Sequence, residues 1–222
     1  MSQSQLERRF LLATDADGSI GLEARDGEPV KIRGTAAVYN RPSHLLGDFR
    51  EIILPGAFTE ALTSRKNDVV ALWNHSNDHI LGRLSSGTLK LSTNELGLQY
   101  EIDPPDTQLG RDLQTLIRRR DIVGSSFAFT VDPDDEQYET DEKGETIRTI
   151  RKVSGLFDVS VVAHAAYPQT SVAVRSFEEW RAQRQAAPEE RAAVTVSMRS
   201  RAVRALAGVT ARRLSLYVPR TR

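Results

Sequence analysis

The chain contains no cysteine, which excludes thiol catalysis, thiolate metal sites and disulfide frameworks together. A nucleophile must come from serine, threonine, lysine or a carboxylate, and a proton carrier from four histidines: His44, His75, His79 and His164. His75 closes the apolar run Val69-Val-Ala-Leu-Trp-Asn-His75. A strand end there can present an imidazole to solvent, or the residue simply opens a polar loop. His75 and His79 stand four apart, a spacing that invites a metal. Asn74, Ser76, Asn77 and Asp78 are loop formers and no third ligand is near, so the spacing argues against one, and no cofactor is expected. Ser125 and Ser126 lie in Val123-Gly-Ser-Ser-Phe-Ala-Phe-Thr130, where Gly124 permits close backbone approach. Either hydroxyl could be a nucleophile beside backbone N–H donors. Alternatively one faces solvent and the other bonds a turn. Ala128 stands where the nucleophile elbow of the α/β-hydrolases needs its second glycine, so that motif fails. Asp158 interrupts the apolar run Leu156-Phe-Asp-Val-Ser-Val-Val162, where a charge is costly unless paired. It could orient a histidine as the third group of a triad, or face water on the polar side of a strand. His164, just beyond, competes for the same role.

These candidates need elements to hold them. Residues 1–174 read as β-rich. Pro29–Tyr39, Asp68–Asn74, Ile122–Asp132 and Leu156–Ala163 are strand candidates rich in Val, Ile, Leu and Phe. Gly87–Ser92 and Gly97–Asp103 alternate apolar with polar residues around the turn Thr93-Asn-Glu-Leu96, which predicts a hairpin. A further hairpin is expected around Asp141-Glu-Lys-Gly144. Helices are few. Pro55–Ser64 offers a short one. The spacing of Leu109, Leu113, Leu116 and Ile117 predicts a longer one over Thr107–Arg119, with Arg118, Arg119 and Arg120 at its C-terminus. The expectation is a β-rich α+β fold: a closed or nearly closed antiparallel β-barrel with surrounding helices.

Composition bounds the rest. With 222 residues, the chain suits one domain, or one domain and a tail. Its 30 basic and 30 acidic residues cancel, which argues against a surface built to grip nucleic acid. The cancellation hides an asymmetry. From Arg175 to Arg222 there are 11 Arg, no Lys, 4 Glu and no Asp, so 11 − 4 = +7, and the remainder carries −7. Boundaries are expected as an N-terminal strand or loop segment over 1–29, a main domain over 30–175 and an Arg-rich helical or partly disordered tail over 176–222. No apolar run approaches the roughly 18–20 residues that span a bilayer. The N-terminus lacks the long apolar stretch of a secretory signal. A soluble intracellular protein with no membrane partner is expected.

Several segments, in one order, resemble the HK97-type phage prohead serine proteases. They are Gly34-Thr-Ala-Ala-Val-Tyr-Asn40, Phe49-Arg-Glu-Ile-Ile-Leu-Pro-Gly-Ala-Phe58, Leu72-Trp-Asn-His75, Leu81-Gly-Arg83, Gly87-Thr-Leu89 and Asp103-Pro-Pro-Asp-Thr-Gln108. Gly124-Ser-Ser-Phe-Ala-Phe129, Asp158-Val-Ser-Val-Val162 and Ala166-Tyr-Pro168 complete the set, over roughly residues 30–175. The resemblance implies a capsid-maturation endopeptidase with a β-barrel like that of the herpesvirus assemblins. It implies a protein that works inside the assembling prohead in the bacterial host. Its substrates would be scaffold or the delta segment of the major capsid protein, and the enzyme itself; a homo-oligomer is compatible with this. By the same resemblance the catalytic histidine is His75, the nucleophile Ser126 and the acidic partner Asp158. The family's Met and second Gly are here Ser125 and Ala128, so Ser125 is a rival hydroxyl. The assemblins use a second histidine, which keeps His164 as an alternative third member. Arg148, Arg151 or backbone N–H groups are candidates to stabilise the oxyanion. A neutral imidazole is required, so activity is expected to rise as pH passes about 6–7. The competing expectation is a non-catalytic capsid scaffold protein.

Overall fold

Alternation of buried and exposed residues builds most of this protein, seen in a computed structural model that describes residues 6–12, 20–24, 29–64, 67–163, 177–178 and 180–182. Twelve strands follow in chain order: β1 Glu7–Leu12, β2 Gly21–Glu23, β3 Lys31–Val38, β4 Phe49–Ile53, β5 Val70–Trp73 and β6 Ser76–Arg83, then β7 Leu89–Thr93, β8 Gly97–Ile102, β9 Gly124–Thr130, β10 Glu136–Thr140, β11 Thr146–Ile150 and β12 Gly155–Val162. Two α-helices within Ser4–Val174, α1 Thr59–Thr63 and α2 Gln108–Arg119, fall inside the expected stretches Pro55–Ser64 and Thr107–Arg119. In α2 the Thr107 hydroxyl accepts from the Gly110 N–H, and Leu113 and Ile117 face the core. Arg118 and Arg119 occupy the last turn, where the dipole favours cations.

The strand-rich α+β architecture is the one the strand pattern predicts. No closed barrel is found among the described residues. Among the described residues the strands make three open sheets, in the orders β1-β9-β12-β5-β6, β2-β3-β8-β7 and β10-β11-β4. Two pairings are parallel, β12 with β5 and β11 with β4. Parallel partners sit far apart in sequence, and no hairpin turn announces them. The hairpins β7–β8 and β10–β11 do carry the expected turns. In the first, Asn94 Oδ1 accepts from the N–H groups of Leu96 and Gly97.

Four strands escape a propensity reading: β1, β2, β4 and β6. The start of β6, Ser76-Asn-Asp-His, is polar and largely exposed, and looks like a loop. It is an edge strand instead, held by β5 across a tight turn, so pairing overrides propensity. Phe127 and Phe129 of β9, Val159 and Val161 of β12 and Ala71 of β5 line the core beneath the five-stranded sheet. Phe58, Leu98 and Leu113 join them there.

The chain divides into two units, Ser4–Val174 and Arg175–Arg222 with Met1–Gln3. Of the second, residues 177–178 and 180–182 are helical, and the rings of Phe177 and Trp180 stack with centroids 5.6 Å apart. His164 lies outside the described residues, as does the rest of the tail expected over 176–222.

Candidate active site

Strand β9 separates the two adjacent serines. Side chains alternate across a strand, so Ser125 shares a face with Phe127 and Phe129, and Ser126 shares the other with Ala128. On the core side, Ser125 Oγ lies 2.8 Å from the Tyr100 hydroxyl. Burial pushes the Tyr100 phenol well up, against the lowering effect of the Ser125 bond, so the pair stays neutral. On the opposite side, Ser126 Oγ lies 2.5 Å from His75 Nε2. His75 Nδ1 lies 2.7 Å from Asp158 Oδ1. Ser126 is fully buried, and the side chains of His75 and Asp158 are each 9% exposed.

A tight turn delivers the imidazole. Trp73 of β5 pairs with Ser76 of β6, leaving Asn74 and His75 as a two-residue loop with φ of 53° and 55°. Positive φ at both central positions is what hairpin turns of this length demand, and Asn and His are among the non-glycine residues that tolerate it. Holding a residue there costs on the order of 1–3 kcal/mol, which the surroundings must offset. Asn74 supplies one tie to β12 and one to the residue after it: its N–H donates to Val161 O at 3.0 Å, and its Oδ1 accepts from Ala163 N–H at 3.2 Å.

A bulge delivers the carboxylate. Leu156 pairs with Phe129, but Asp158 pairs with Ala128, so Phe157 is an extra residue in β12 and stands exposed. In a regular ladder running through Phe157, Asp158 would share the core face with Leu156. The bulge breaks that alternation and turns the carboxylate to the face of Ser126. From there the ladder is regular, and Ser160 stands directly opposite Ser126. Ser160 Oγ is 2.7 Å from Asp158 Oδ1 and 3.2 Å from His75 Nδ1. Motif reading passed over Ser160. The signal that finds it is the i, i+2 alternation from Asp158. On the other flank of β9, Phe10 of β1 stands opposite Ser126 and meets the His75 ring edge-on, centroids 6.0 Å apart.

The other candidates lie elsewhere. The His79 ring sits beside Trp73, and His44 is exposed on the wall of a cleft of about 340 Å³ that Phe10 also lines. Among the described residues no group of three or more His, Asp or Glu could hold a metal ion. Arg148 donates to Glu7, Glu51 and Glu136, and Arg151 to Gln137 and the Asp134 carbonyl. Neither guanidinium bonds a group of the Ser126–His75–Asp158 set.

A serine hydroxyl, an imidazole and a carboxylate joined in line are the geometry of the serine peptidases. The chain matches the family model of the caudovirus prohead serine proteases over residues 19–183, and it belongs to that family. It is thus a serine peptidase, a hydrolase, and a prohead protease works among capsid proteins inside the assembling capsid. Neither the curated proteins nor the solved structures yielded a match. The matched span begins after β1, so the strand that carries Phe10 lies outside it.

Proposed function

We propose that this chain is a capsid-maturation endopeptidase in which Ser126 is the nucleophile, His75 the general base and acid, and Asp158 the orienting carboxylate. The observation that carries the reading is the unbroken line from Ser126 Oγ through both ring nitrogens to Asp158 Oδ1. His75 Nε2 takes the hydroxyl proton as Oγ attacks the scissile carbonyl. The tetrahedral intermediate collapses, the C–N bond breaks, and the imidazolium returns the proton to the leaving amine. Water then repeats the sequence on the acyl-enzyme. Asp158 keeps the second ring nitrogen protonated and stabilises the imidazolium. With Asp158 at Nδ1, this reading calls on no second histidine. Ser125, bonded to Tyr100 on the other face, supports the choice of Ser126.

The substrates we assign are scaffold or the delta segment of the major capsid protein, and the enzyme itself. The Arg-rich segment 176–222 serves delivery into the prohead and is lost by self-cleavage. A non-catalytic scaffold protein would have no use for three aligned groups raised by a strained turn and a bulge. The test is co-expression with the major capsid protein, followed by mass spectrometry of the products. Discrete capsid-protein fragments with the native chain, and none with Ser126→Ala, are expected. Fragments that persist with Ser126→Ala would overturn the assignment.

A further inference from the structure

We infer that Ser160 is a positioning residue of this site, holding the Asp158 carboxylate and the tautomer of His75 through one hydroxyl. The inference rests on the reading of His75 and Asp158 given above. Ser160 is 1% exposed on β12, and its Oγ meets two groups of the line at once. A hydroxyl has one proton. Donated to Asp158 Oδ1 at 2.7 Å, it leaves only a lone pair facing His75 Nδ1 at 3.2 Å. Nδ1 then sees two acceptors, the carboxylate and this lone pair, and must carry the hydrogen itself. Nε2 is left with the free lone pair that a base for Ser126 requires. The opposite tautomer would set lone pair against lone pair at Nδ1 and a donor against the Ser126 proton.

The strand explains why such a tie is needed. Asp158 sits on the irregular step of β12, where the bulge breaks the ladder. Ser160 sits two residues on, in regular register with Ser126 and with Leu72 of β5. The hydroxyl thus fastens the carboxylate from an irregular position to a regular one. Among the described residues the bonded partners of Asp158 are His75 and Ser160, with no lysine or arginine. A buried carboxylate without a permanent cation depends on such donors. A serine that merely filled space would not need its oxygen at the apex of this triangle.

The test uses the full chain and a fluorophosphonate probe, which needs no knowledge of the cleavage sequence. The serine oxygen bonds to phosphorus, fluoride leaves, and the proton passes to the imidazole. The rate of label gained at Ser126 is followed by mass spectrometry and separated into a maximal rate and a half-saturating probe concentration. Ser160→Ala should lower the maximal rate about tenfold and leave the half-saturating concentration unchanged. Ser160→Thr, which keeps the hydroxyl, should recover most of it. In an Asp158→Asn background the same Ser160→Ala change should cost less than about twofold, because a residue that acts through Asp158 has little left to act on. Proton NMR reads the site without turnover: the downfield His75 Nδ1–H resonance should move or vanish in Ser160→Ala while the thermal melt is unchanged. Should Ser160→Ala fail to fold, Ser160→Cys, close in size and a poorer donor, gives the same readings. An unchanged rate and resonance would overturn the inference, as would a full tenfold loss that persists beside Asp158→Asn. Failure of the triad reading looks different: native protein unlabelled at Ser126 overturns both.

Discussion

Strand β1 touches two buried polar clusters, one on each face, and they are built on opposite principles. On one face Phe10 stands opposite Ser126 and meets the His75 ring, which is bonded in turn to Asp158 and Ser160. On the other, Glu7 and Arg9 join Glu51 of β4, Glu136 of β10 and Arg148 of β11. Arg148 is 1% exposed and spends its donors on three carboxylates at 2.5–2.7 Å. Burial works against the charges of Glu7, Arg9 and Arg148 in this second cluster, yet pairing wins. The Glu7 carboxyl, raised by desolvation, is drawn below its ordinary value by Arg148 and Arg9. Arg148 and Arg9, disfavoured by burial, are held above theirs by Glu51 and Glu7. Such a cluster offers no mobile proton near neutrality and no nucleophile. It clamps β1 of one sheet to β4, β10 and β11 of another. The first cluster joins one carboxyl, Asp158, to an imidazole and two hydroxyls, with no lysine or arginine bonded to Asp158 among the described residues. Buried polarity becomes chemistry where the counter-charge is created by the reaction and is not already in place.

The contrast is broken most severely at Asp158. Asp158→Asn presents an amide to His75 Nδ1 and should lower turnover by about 10³–10⁴-fold, by analogy with other triads, while the melting temperature changes little. A variant within tenfold of native turnover would remove the orienting role. Arg148→Met should do the reverse. It strands buried carboxylates and should cost about 3–5 kcal/mol in a denaturant titration, with the probe reactivity of the remaining folded molecules near native. Loss of reactivity without loss of stability would show that the clamp reaches the site.

Acid should separate the two clusters by pH. The Glu7 value is depressed in the folded chain, so its contribution is full above the ordinary value of 4.5 and is lost as pH falls through the lower folded value. Imidazole chemistry in general fades below about pH 6. Titration downward should therefore show labelling of Ser126 lost first, with far-ultraviolet circular dichroism retained, and unfolding only below about pH 4.5. Coincident transitions would contradict the separation. The smallest effect belongs to Ser125→Ala, expected to change the labelling rate less than about threefold. If it abolishes labelling and Ser126→Ala does not, the nucleophile is the other serine.

What the sequence alone determined is what lies within a few residues. The 3.6-residue spacing marks α2, and turn residues mark the hairpins at Asn94 and Gly144. Asn74-His75, Gly124-Ser-Ser126 and Asp158 single themselves out as candidates, and a resemblance to prohead proteases orders them. The tertiary structure decided which serine meets the histidine, because one step along β9 separates the Tyr100 face from the His75 face. It decided the turn of Asp158 from the core face to the face of Ser126, which depends on the bulge opposite Phe129 and Ala128. It alone supplied β1, the parallel pairings, the ion cluster and Ser160. The contacts of the site span 51 and 83 residues, and those of the clamp as many as 141. Local periodicity carries no information about partners at that distance. They are chosen when sheets pair and pack, and a period of two lets a single bulge move a side chain from the core to the site.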